Sequence, residues 1–459
     1  MDAFVINGGK RLRGTVRVHG AKNAALPQLA AALLTDQPVK LSDVPDLEDI
    51  RNMTKLLDEL GCEVEHDPAA SSVTVHSTDD SKCKARYDIV RKMRASVCVL
   101  GPLLARRGKA QVSMPGGCNI GDRPVDLHMR GLRALGAKVH LDSGYIVAEL
   151  PESGRLTGAR VFLGGPFGST VLGTINVMSA AALAKGRTII ESAACEPEVE
   201  DMANLLSAMG ANVTGAGTPR VIIEGVDQLH GAKHKVIPDR IEAGTYVAAA
   251  AITNGQITIE NFPTDALTAV LDRFEYTGVE IEPVKPASGA GPSPTRKRGT
   301  RKKNNQGTLD DDRMRQTVRV ASTRRLEPTQ IFTQPHPGFP TDLQAQIMAL
   351  LCLADGNSMI TEKIFPDRFL HVAELLRMGA NLVRNGPTVL VSGVRELIGA
   401  QVMASDLRAS AGLILAGLAA RGTTTVSRIY HVDRGYEKME LSLQKLGADV
   451  ERVNQPEKQ

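Results

Sequence analysis

Tryptophan is absent from the 459-residue chain, and aromatic residues together make up only 3% of it. Its cores must therefore be built mainly from alanine, leucine, valine and isoleucine instead of large rings. Long apolar runs are lacking as well, because stretches such as 347–354 are far shorter than a membrane span. The length and the 42% hydrophobic content indicate a soluble globular protein of two or three domains.

The six cysteines form neither a C-x-x-C pair nor a spacing typical of zinc ligands. The first residues lack a basic stretch followed by an apolar one, so no signal peptide is expected. Free thiols in a reducing cytoplasm fit both absences better than a disulfide framework does.

Several motifs of nucleotide and metal chemistry are also missing. The chain contains no GxxxxGKS/T, no GxGxxG after a predicted strand, no HExxH and no GxSxG. P-loop nucleotide hydrolysis, dinucleotide chemistry and zinc hydrolysis therefore lose support. The net charge of +4 comes partly from one local basic run, so an extended nucleic-acid surface is not indicated.

A short phrase of an apolar residue or threonine, then glycine, then a strand-like pattern recurs along the whole chain. Its glycines are Gly61, Gly136, Gly210, Gly278, Gly379 and Gly447. Each follows a segment with helical periodicity and precedes a pattern typical of a strand. Glycine in this position ends a helix as a C-cap. We therefore predict six mixed α/β units of about 70 residues each.

The interval between Gly278 and Gly379 exceeds the others by about 30 residues, and the excess maps to Pro286–Arg313. Proline, glycine, serine and charged residues dominate this segment, which has no apolar periodicity. This composition predicts a disordered surface insertion. Its basic run, 296–303, leaves a patch for nucleic acid or another anionic surface as the alternative.

The stretch Met114–His128 places Cys118 behind two glycines in a predicted loop. The glycines let this loop bend freely and approach a ligand closely. Arg123, five residues after the cysteine, could hold an anion or lower the pKa of the thiol. An ordinary loop cysteine beside a solvated arginine explains the same residues equally well.

Basic residues recur where predicted elements begin or end. Lys22 precedes an apolar helix for which Asn23 is the expected N-cap. Four arginines also lie at the ends of predicted elements, namely Arg94, Arg368, Arg408 and Arg434. Because guanidinium groups match phosphate and carboxylate, these cations could converge on one anionic ligand. Singly, each is explained as well by a surface ion pair.

Asp342 lies just before another apolar helix, predicted over 343–353. Either Thr341 or Asp342 is expected to cap that helix. Aimed into a cleft instead, the carboxylate of Asp342 would suit a general base. The residues together favour a phosphorylated or carboxylated small molecule as the substrate.

Several motifs together give the chain a specific resemblance. They are 20–27 (GAKNAALP), 93–96 (MRAS), 115–118 (PGGC), 123–127 (RPVDL), 238–242 (PDRIE), 336–342 (HPGFPTD), 406–410 (DLRAS) and 433–436 (DRGY). From Phe4 to Val453, apart from the insertion, the chain resembles the UDP-N-acetylglucosamine enolpyruvyltransferases of the EPSP synthase family. The resemblance implies an α/β fold, a two-domain inside-out α/β barrel of six βαβαββ repeats. It places the first domain at 21–236 and the second at 1–20 plus 237–459, joined by a two-strand hinge.

The implied reaction transfers the enolpyruvyl group of phosphoenolpyruvate to the 3′-hydroxyl of UDP-N-acetylglucosamine and releases phosphate. This is the first committed step of peptidoglycan precursor synthesis. The resemblance implies no metal and no organic cofactor, and we expect no membrane or nucleic-acid partner and a monomer or weak homo-oligomer. Two alternatives remain, namely the sister enzyme that acts on shikimate 3-phosphate and a catalytically inactive paralogue. The sister enzyme does not use the Cys118 loop.

The resemblance also assigns roles to single residues. The implied catalytic residues are Cys118, Asp342, Lys22 and Arg434. The implied substrate-binding residues are Lys22, Asn23, Arg94, Arg123, Pro124, Val125, Asp126, Leu127, Gly164, Gly168, Asp342, Ile364, Arg368, Arg408 and Arg434. Cys118 would protonate the methylene carbon of phosphoenolpyruvate, and the epoxide fosfomycin would alkylate it. Asp342 would be the base.

One segment departs from the family's pattern. Residues 164–168 read GGPFG, where the family often has a lysine and a serine. Backbone amides are then the groups left to contact the sugar nucleotide there.

Overall fold

The computed structural model describes residues 2–114, 125–284, 311–322 and 326–454. The strands are β1 (Asp2–Asn7), β2 (Arg13–Arg17), β3 (Val39–Ser42), β4 (Cys62–Asp67), β5 (Ser72–Ser77), β6 (Lys84–Ala85), β7 (Lys109–Ser113), β8 (Lys138–Asp142), β9 (Tyr145–Glu149), β10 (Arg160–Phe162), β11 (Gly164–Gly165), β12 (Gly168–Ser169), β13 (Arg187–Glu191), β14 (Asn212–Thr214), β15 (Arg220–Glu224), β16 (Lys233–Lys235), β17 (Gln256–Phe262), β18 (Glu280–Pro283), β19 (Gln316–Ala321), β20 (Gln330–Phe332), β21 (Asn357–Thr361), β22 (Asn381–Asn385), β23 (Thr388–Ser392), β24 (Gln401–Met403), β25 (Thr423–Ser427) and β26 (Asp449–Asn454).

The α-helices are α1 (Lys22–Ala31), α2 (Glu48–Glu59), α3 (Tyr87–Val90), α4 (Leu100–Arg107), α5 (Asp126–Ala134), α6 (Val171–Ala181), α7 (Pro197–Ala208), α8 (Arg240–Ile252), α9 (Thr268–Tyr276), α10 (Asp311–Met314), α11 (Gln344–Leu351), α12 (His371–Arg377), α13 (Leu407–Ala419) and α14 (Met439–Lys445). Short 3₁₀ helices span Ala32–Leu34, Arg94–Val99, Thr264–Leu267, Thr341–Leu343 and Ile429–Arg434.

Within the described ranges the strands form six four-stranded sheets and one two-stranded hairpin, β11–β12. The sheet orders are β16-β3-β5-β4, β6-β7-β9-β8, β10-β13-β15-β14, β2-β17-β19-β18, β20-β21-β23-β22 and β24-β25-β1-β26. In every four-stranded sheet the first pair is parallel and the other two pairs are antiparallel. A parallel pair needs a helical crossover, and the following antiparallel pair needs only a turn.

The six repeated glycines lie where the helices preceding β4, β8, β14, β18, β22 and β26 end. Their φ angles fall between +79° and +102°. A residue with a side chain rarely adopts this left-handed backbone, so the C-cap prediction for these glycines is confirmed.

Among the residues that the structure describes, the buried apolar side chains form two clusters. One runs from Ala21 to Val236. The other joins Phe4–Val18 to 241–450. In the second cluster α8, α11 and α13 pack against one another and are buried almost all round. Small residues allow this close approach: a Cβ on Gly412 of α13 would lie 2.8 Å from the backbone oxygen of Ala345 in α11.

In the described ranges the chain crosses between the two clusters twice, and the two crossing segments lie side by side. The amide of Ala21 donates to the carbonyl of Ile237 at 2.7 Å, and the amide of Asp239 donates to the carbonyl of His19 at 2.8 Å. A β-bridge between Gly20 and Pro238 lies between these two bonds. The crossing therefore has the hydrogen bonding of a short two-stranded ribbon.

His19 fastens this ribbon to α8. Its ring Nδ1 lies 2.9 Å from one oxygen of Glu242, whose other oxygen accepts from the His19 backbone amide at 2.8 Å. The negative charge of Glu242 raises the pKa of His19 to about 9, although burial opposes the charge. Histidine in an unfolded chain has a pKa of about 6.5. Between about pH 6.5 and about pH 9, His19 therefore keeps its proton in the folded protein but loses it in the unfolded chain.

We expect this ion pair to stabilise the fold fully below about pH 6.5 and to lose its effect as the pH rises through about 9. The measurement is urea unfolding of the wild type and of His19→Gln at several pH values across this range. The advantage of the wild type over the variant should shrink as the pH increases. A constant difference would show that folding leaves the pKa of His19 unchanged.

Most of the predicted insertion lies outside the described residues. Its final residues, 311–313, belong to α10, where Arg313 pairs with Asp265 at 2.8 Å. No helix in the described parts of the chain is long and apolar enough to span a membrane.

Candidate functional site

A cleft of about 610 Å³ lies between the two apolar clusters and is lined by residues from both. Of the residues predicted from the sequence, it brings together Lys22, Asn23, Arg94, Asp126, Leu127, Gly168, Asp342, Ile364, Arg368, Arg408 and Arg434. Val125 and Gly164 are described but do not line it. Cys118, Arg123 and Pro124 lie outside the described residues.

Lys22 is the first residue of α1, and Ala21 takes the N-cap position before it without a side-chain hydrogen bond. The prediction that Asn23 caps this helix is therefore wrong. The physical reason comes from the other crossing segment, because Asp239 accepts from the Lys22 backbone amide at 3.3 Å. A carboxylate distant in sequence thus provides the acceptor that a local cap would have supplied.

Asp49 joins two of the predicted cations. Its Oδ2 accepts from Lys22 Nζ at 3.1 Å and its Oδ1 from Arg434 Nε at 3.0 Å. Burial alone would raise the pKa of Asp49, but the charges of Lys22 and Arg434 outweigh it and lower the pKa. The carboxylate is therefore ionised, and it holds a cation from each side of the cleft.

Asp342 lies between two arginines on the opposite wall. Its Oδ1 accepts from Arg368 at 2.7 Å and its Oδ2 from Arg408 at 3.1 Å. Neither Thr341 nor Asp342 caps α11, since both lie within a 3₁₀ turn and Leu343 takes the cap position without a side-chain hydrogen bond. The capping prediction is wrong because the arginines bind the carboxylate, which faces the cleft instead.

Arg408 is held almost completely out of solvent, with 3% of its side chain exposed. Burial opposes its charge, but Asp342 and the other acidic neighbours raise its pKa, so the guanidinium stays protonated. It also donates to the Tyr436 hydroxyl at 3.2 Å, and that hydroxyl lies 2.9 Å from Thr245. A buried polar network therefore fixes this cation in place.

A further ion pair joins α7 and α8 within the lining of the cleft. Arg240 donates to both oxygens of Glu198 at 3.0 and 3.3 Å, and both side chains are at most 10% exposed. Glu196 lies beside them and accepts from the His336 amide at 3.3 Å. Burial raises the pKa of Glu196, Arg240 opposes this, and the charge of Glu198 adds to it.

Sequence reasoning missed Asp49, Glu196 and Glu198, and it noted Arg240 only as part of a motif. Nothing near Asp49 or Glu198 in the sequence marks either as more than an acidic residue in the first turn of a helix. Their partners come from distant parts of the chain, so no local spacing could have indicated these pairs.

The β11–β12 hairpin forms one rim of the cleft. Residues 165–168 line it, and a Cβ on Gly168 would lie 3.0 Å from the ring of Pro335 across the cleft. The φ of Gly168 is +102°, which favours glycine. The hairpin therefore presents backbone groups and the exposed ring of Phe167.

None of the five cysteines in the described ranges lines the cleft. Burial raises the pKa of both Cys98 and Cys352 to about 12, so neither is a reactive thiolate near neutral pH. The described residues also contain no group of three or more histidine, cysteine, aspartate or glutamate side chains arranged to hold a metal ion.

A family model described as EPSP synthase (3-phosphoshikimate 1-carboxyvinyltransferase) matches residues 6–443. The chain belongs to the EPSP synthase family. This EPSP synthase family member is 47% identical over 456 residues to a UDP-N-acetylglucosamine 1-carboxyvinyltransferase of Methylacidiphilum infernorum, with 99% of each chain covered. A protein of the same name from Geotalea uraniireducens is 48% identical over 455 residues, covering 99% of this chain and 100% of its own.

Two solved structures extend the comparison to the fold. The enolpyruvyl transferase NikO from Streptomyces tendae superposes with a TM-score of 0.83 at 25% identity, covering 99% of both chains. EPSP synthase from Acinetobacter baumannii gives a TM-score of 0.73 at 18% identity, covering 99% of this chain and 100% of that one. The second likeness shows that the α/β fold is shared.

Proposed function

We propose that the protein transfers the enolpyruvyl group of phosphoenolpyruvate to the 3′-hydroxyl of UDP-N-acetylglucosamine and releases phosphate. The observation that carries this proposal is the convergence of Lys22, Arg368, Arg408 and Arg434 on one cleft together with the carboxylate of Asp342. Relatives nearly half identical over 99% of the chain carry the corresponding name. The enzyme would therefore be a transferase of peptidoglycan precursor synthesis in the cytoplasm.

The cations of the cleft suit a substrate that carries both phosphate and carboxylate. Lys22 and Arg434 come together from the two sides of the cleft at Asp49, and Arg94 lines the same cavity. Preorganised positive charge stabilises the negative charge that develops on the leaving phosphate without reorganisation during the reaction. Arg123, which lies outside the described residues, would complete the set.

Asp342 would accept the proton of the 3′-hydroxyl while that oxygen bonds to C2 of phosphoenolpyruvate. The methylene carbon gains a proton at the same stage, and Cys118 would supply it. In the second stage the Cys118 thiolate would take a proton back from the new methyl group while the C2–O–phosphate bond breaks. The departing phosphate would take the proton that Asp342 accepted. Asp342 and Cys118 would thus account for each proton of the proposed reaction.

For the fold, we propose the two-domain inside-out α/β barrel with three βαβαββ units in each domain. Its support is the common strand order of the six sheets and the buried helices at the centre of each apolar cluster. The first domain would span 21–236, and the second would span 1–20 and 237–459. Pro286–Arg313 would be an insertion in the second domain.

The test is a phosphate-release assay with purified protein. Phosphate should appear only when phosphoenolpyruvate and UDP-N-acetylglucosamine are both present, and mass spectrometry should find the enolpyruvyl sugar nucleotide. Each substrate alone is the control. Release with shikimate 3-phosphate in place of the sugar nucleotide would transfer the assignment to the sister activity, and no release with either acceptor would indicate an inactive paralogue.

A further inference from the structure

The carboxylate of Asp49 lines the cleft but has no part in the proposed proton transfers. Asp49 lies in the first turn of α2, and its side chain is 4% exposed. One of its oxygens binds Lys22 and the other binds Arg434, at 3.1 and 3.0 Å. It is therefore a bridge between two cations that the proposed function assigns to the same small anion.

The bridge also connects the two halves of the molecule. Lys22 and Asp49 belong to elements of the first apolar cluster, whereas Arg434 ends a 3₁₀ helix packed in the second. A second link lies close by, since the amide of Asp46 donates to the carboxylate of Glu437 at 2.8 Å. Asp49 and the backbone amide of Asp46 thus both help to set the position of Arg434 relative to Lys22.

The negative charge of Asp49 could act on an anionic ligand in two opposite ways. As a competing anion, Asp49 would weaken the binding of phosphate, because it already pairs with both Lys22 and Arg434. As a spacer, it would strengthen binding, because two cations close together repel each other unless an anion lies between them. The burial of Lys22, whose side chain is 9% exposed, favours the second effect, since a buried ammonium group needs a fixed partner.

We propose that Asp49 is a positioning residue that holds Lys22 and Arg434 at the separation one phosphorylated carboxylate ligand requires. This inference rests on the proposed function for the identity of the ligand. The expected effect of Asp49 on the binding of inorganic phosphate, the simplest anion of the same class, is independent of the proposed function. The competing-anion alternative predicts a change of opposite sign, so measurement separates the two.

The first experiment is steady-state kinetics of Asp49→Asn. The KM for phosphoenolpyruvate should rise by about tenfold or more. The reason is that Asp49→Asn removes the charge that holds Lys22 and Arg434 in place, and charge-assisted hydrogen bonds of this kind contribute at least that much. The KM for UDP-N-acetylglucosamine should stay within about twofold, because a loss confined to one anion moves only that KM. A general loss of structure would instead lower activity without this distinction between substrates.

Glu48→Gln is the matched control. Glu48 is the neighbour of Asp49 in the first turn of α2 and lies 3.9 Å from Arg51, and the two side chains are 48% and 49% exposed. Surface pairs of this kind contribute little, so both KM values should remain close to those of the wild type.

The second experiment measures inorganic phosphate binding to the wild type, Asp49→Asn and Asp49→Glu by calorimetry. Asp49→Asn should bind phosphate about tenfold more weakly, and Asp49→Glu should recover part of the loss because it restores the charge. Unchanged or tighter binding by Asp49→Asn would overturn the proposal, and so would an Asp49→Glu variant as weak as Asp49→Asn. Thermal unfolding of each variant verifies its fold. If the wild type binds phosphate but turns over neither acceptor, the proposed function is refuted, whereas the proposal for Asp49 is still decided by the phosphate affinities of the variants.

Discussion

Asp342→Asn should lower kcat by a factor of about 10² to 10⁴, which is the usual contribution of a positioned general base. Asparagine has the same shape and keeps one acceptor oxygen, but it cannot take a proton from the sugar hydroxyl. The two hydrogen bonds from Arg368 and Arg408 fix the carboxylate at 2.7 and 3.1 Å, so its orientation is set before the substrate arrives. The measurement is phosphate release under saturating concentrations of both substrates.

Binding measurements distinguish this loss from disruption of the cleft. Arg408 is almost fully buried and would lose its ion pair with Asp342 in Asp342→Asn, so some loss of stability is expected as well. Calorimetric affinity for UDP-N-acetylglucosamine should nevertheless change much less than kcat. A variant whose kcat stays within about threefold of the wild type would remove Asp342 from the role of base.

The helix ends of this protein are predictable from sequence because their cause is local. The backbone at Gly61 or Gly447 must adopt a positive φ, and glycine does so without steric cost wherever the chain lies in the fold. The same reasoning locates the strands that follow. Six such sites at regular spacing are therefore enough to indicate a repeated α/β unit from the amino-acid sequence alone.

The capping predictions for the two helices that begin near the site, α1 and α11, are wrong because the cause there is not local. At Lys22 the acceptor is Asp239, which is 217 residues away, and at Asp342 the carboxylate is bound by arginines 26 and 66 residues away. Capping rules describe a competition among neighbours in sequence, and in both cases a distant partner replaces the neighbour. Functional sites are where such departures from local preference are expected.

Distant partners also limit what the sequence predicts about the cleft. The cations of the cleft are predictable, because arginine and lysine recur at the ends of several predicted elements. Their partners are not, since Asp49 meets Arg434 over a separation of 385 residues. A sequence shows which charges are available, but the pairing that gives each one its role is set by the fold.

Arg240→Met should lower the free energy of unfolding by about 3 kcal/mol or more. The substitution leaves the Glu198 carboxylate, which is 3% exposed as a residue, without its bidentate partner. Glu196 lies beside it, and its pKa is already raised by burial. Two acidic groups would then share a buried site from which the nearby cation has been removed, and urea unfolding near neutral pH measures the cost.

The double variant Arg240→Met/Glu198→Gln tests whether the loss comes from an uncompensated charge. Replacing both partners removes the buried carboxylate, so most of the stability should return even though the ion pair is absent. Arg273→Met is the matched surface control, because its pair with Asp272 is well exposed and should contribute less than about 1 kcal/mol. If the double variant were as unstable as Arg240→Met, the arginine would act through the packing of its side chain and not through its charge.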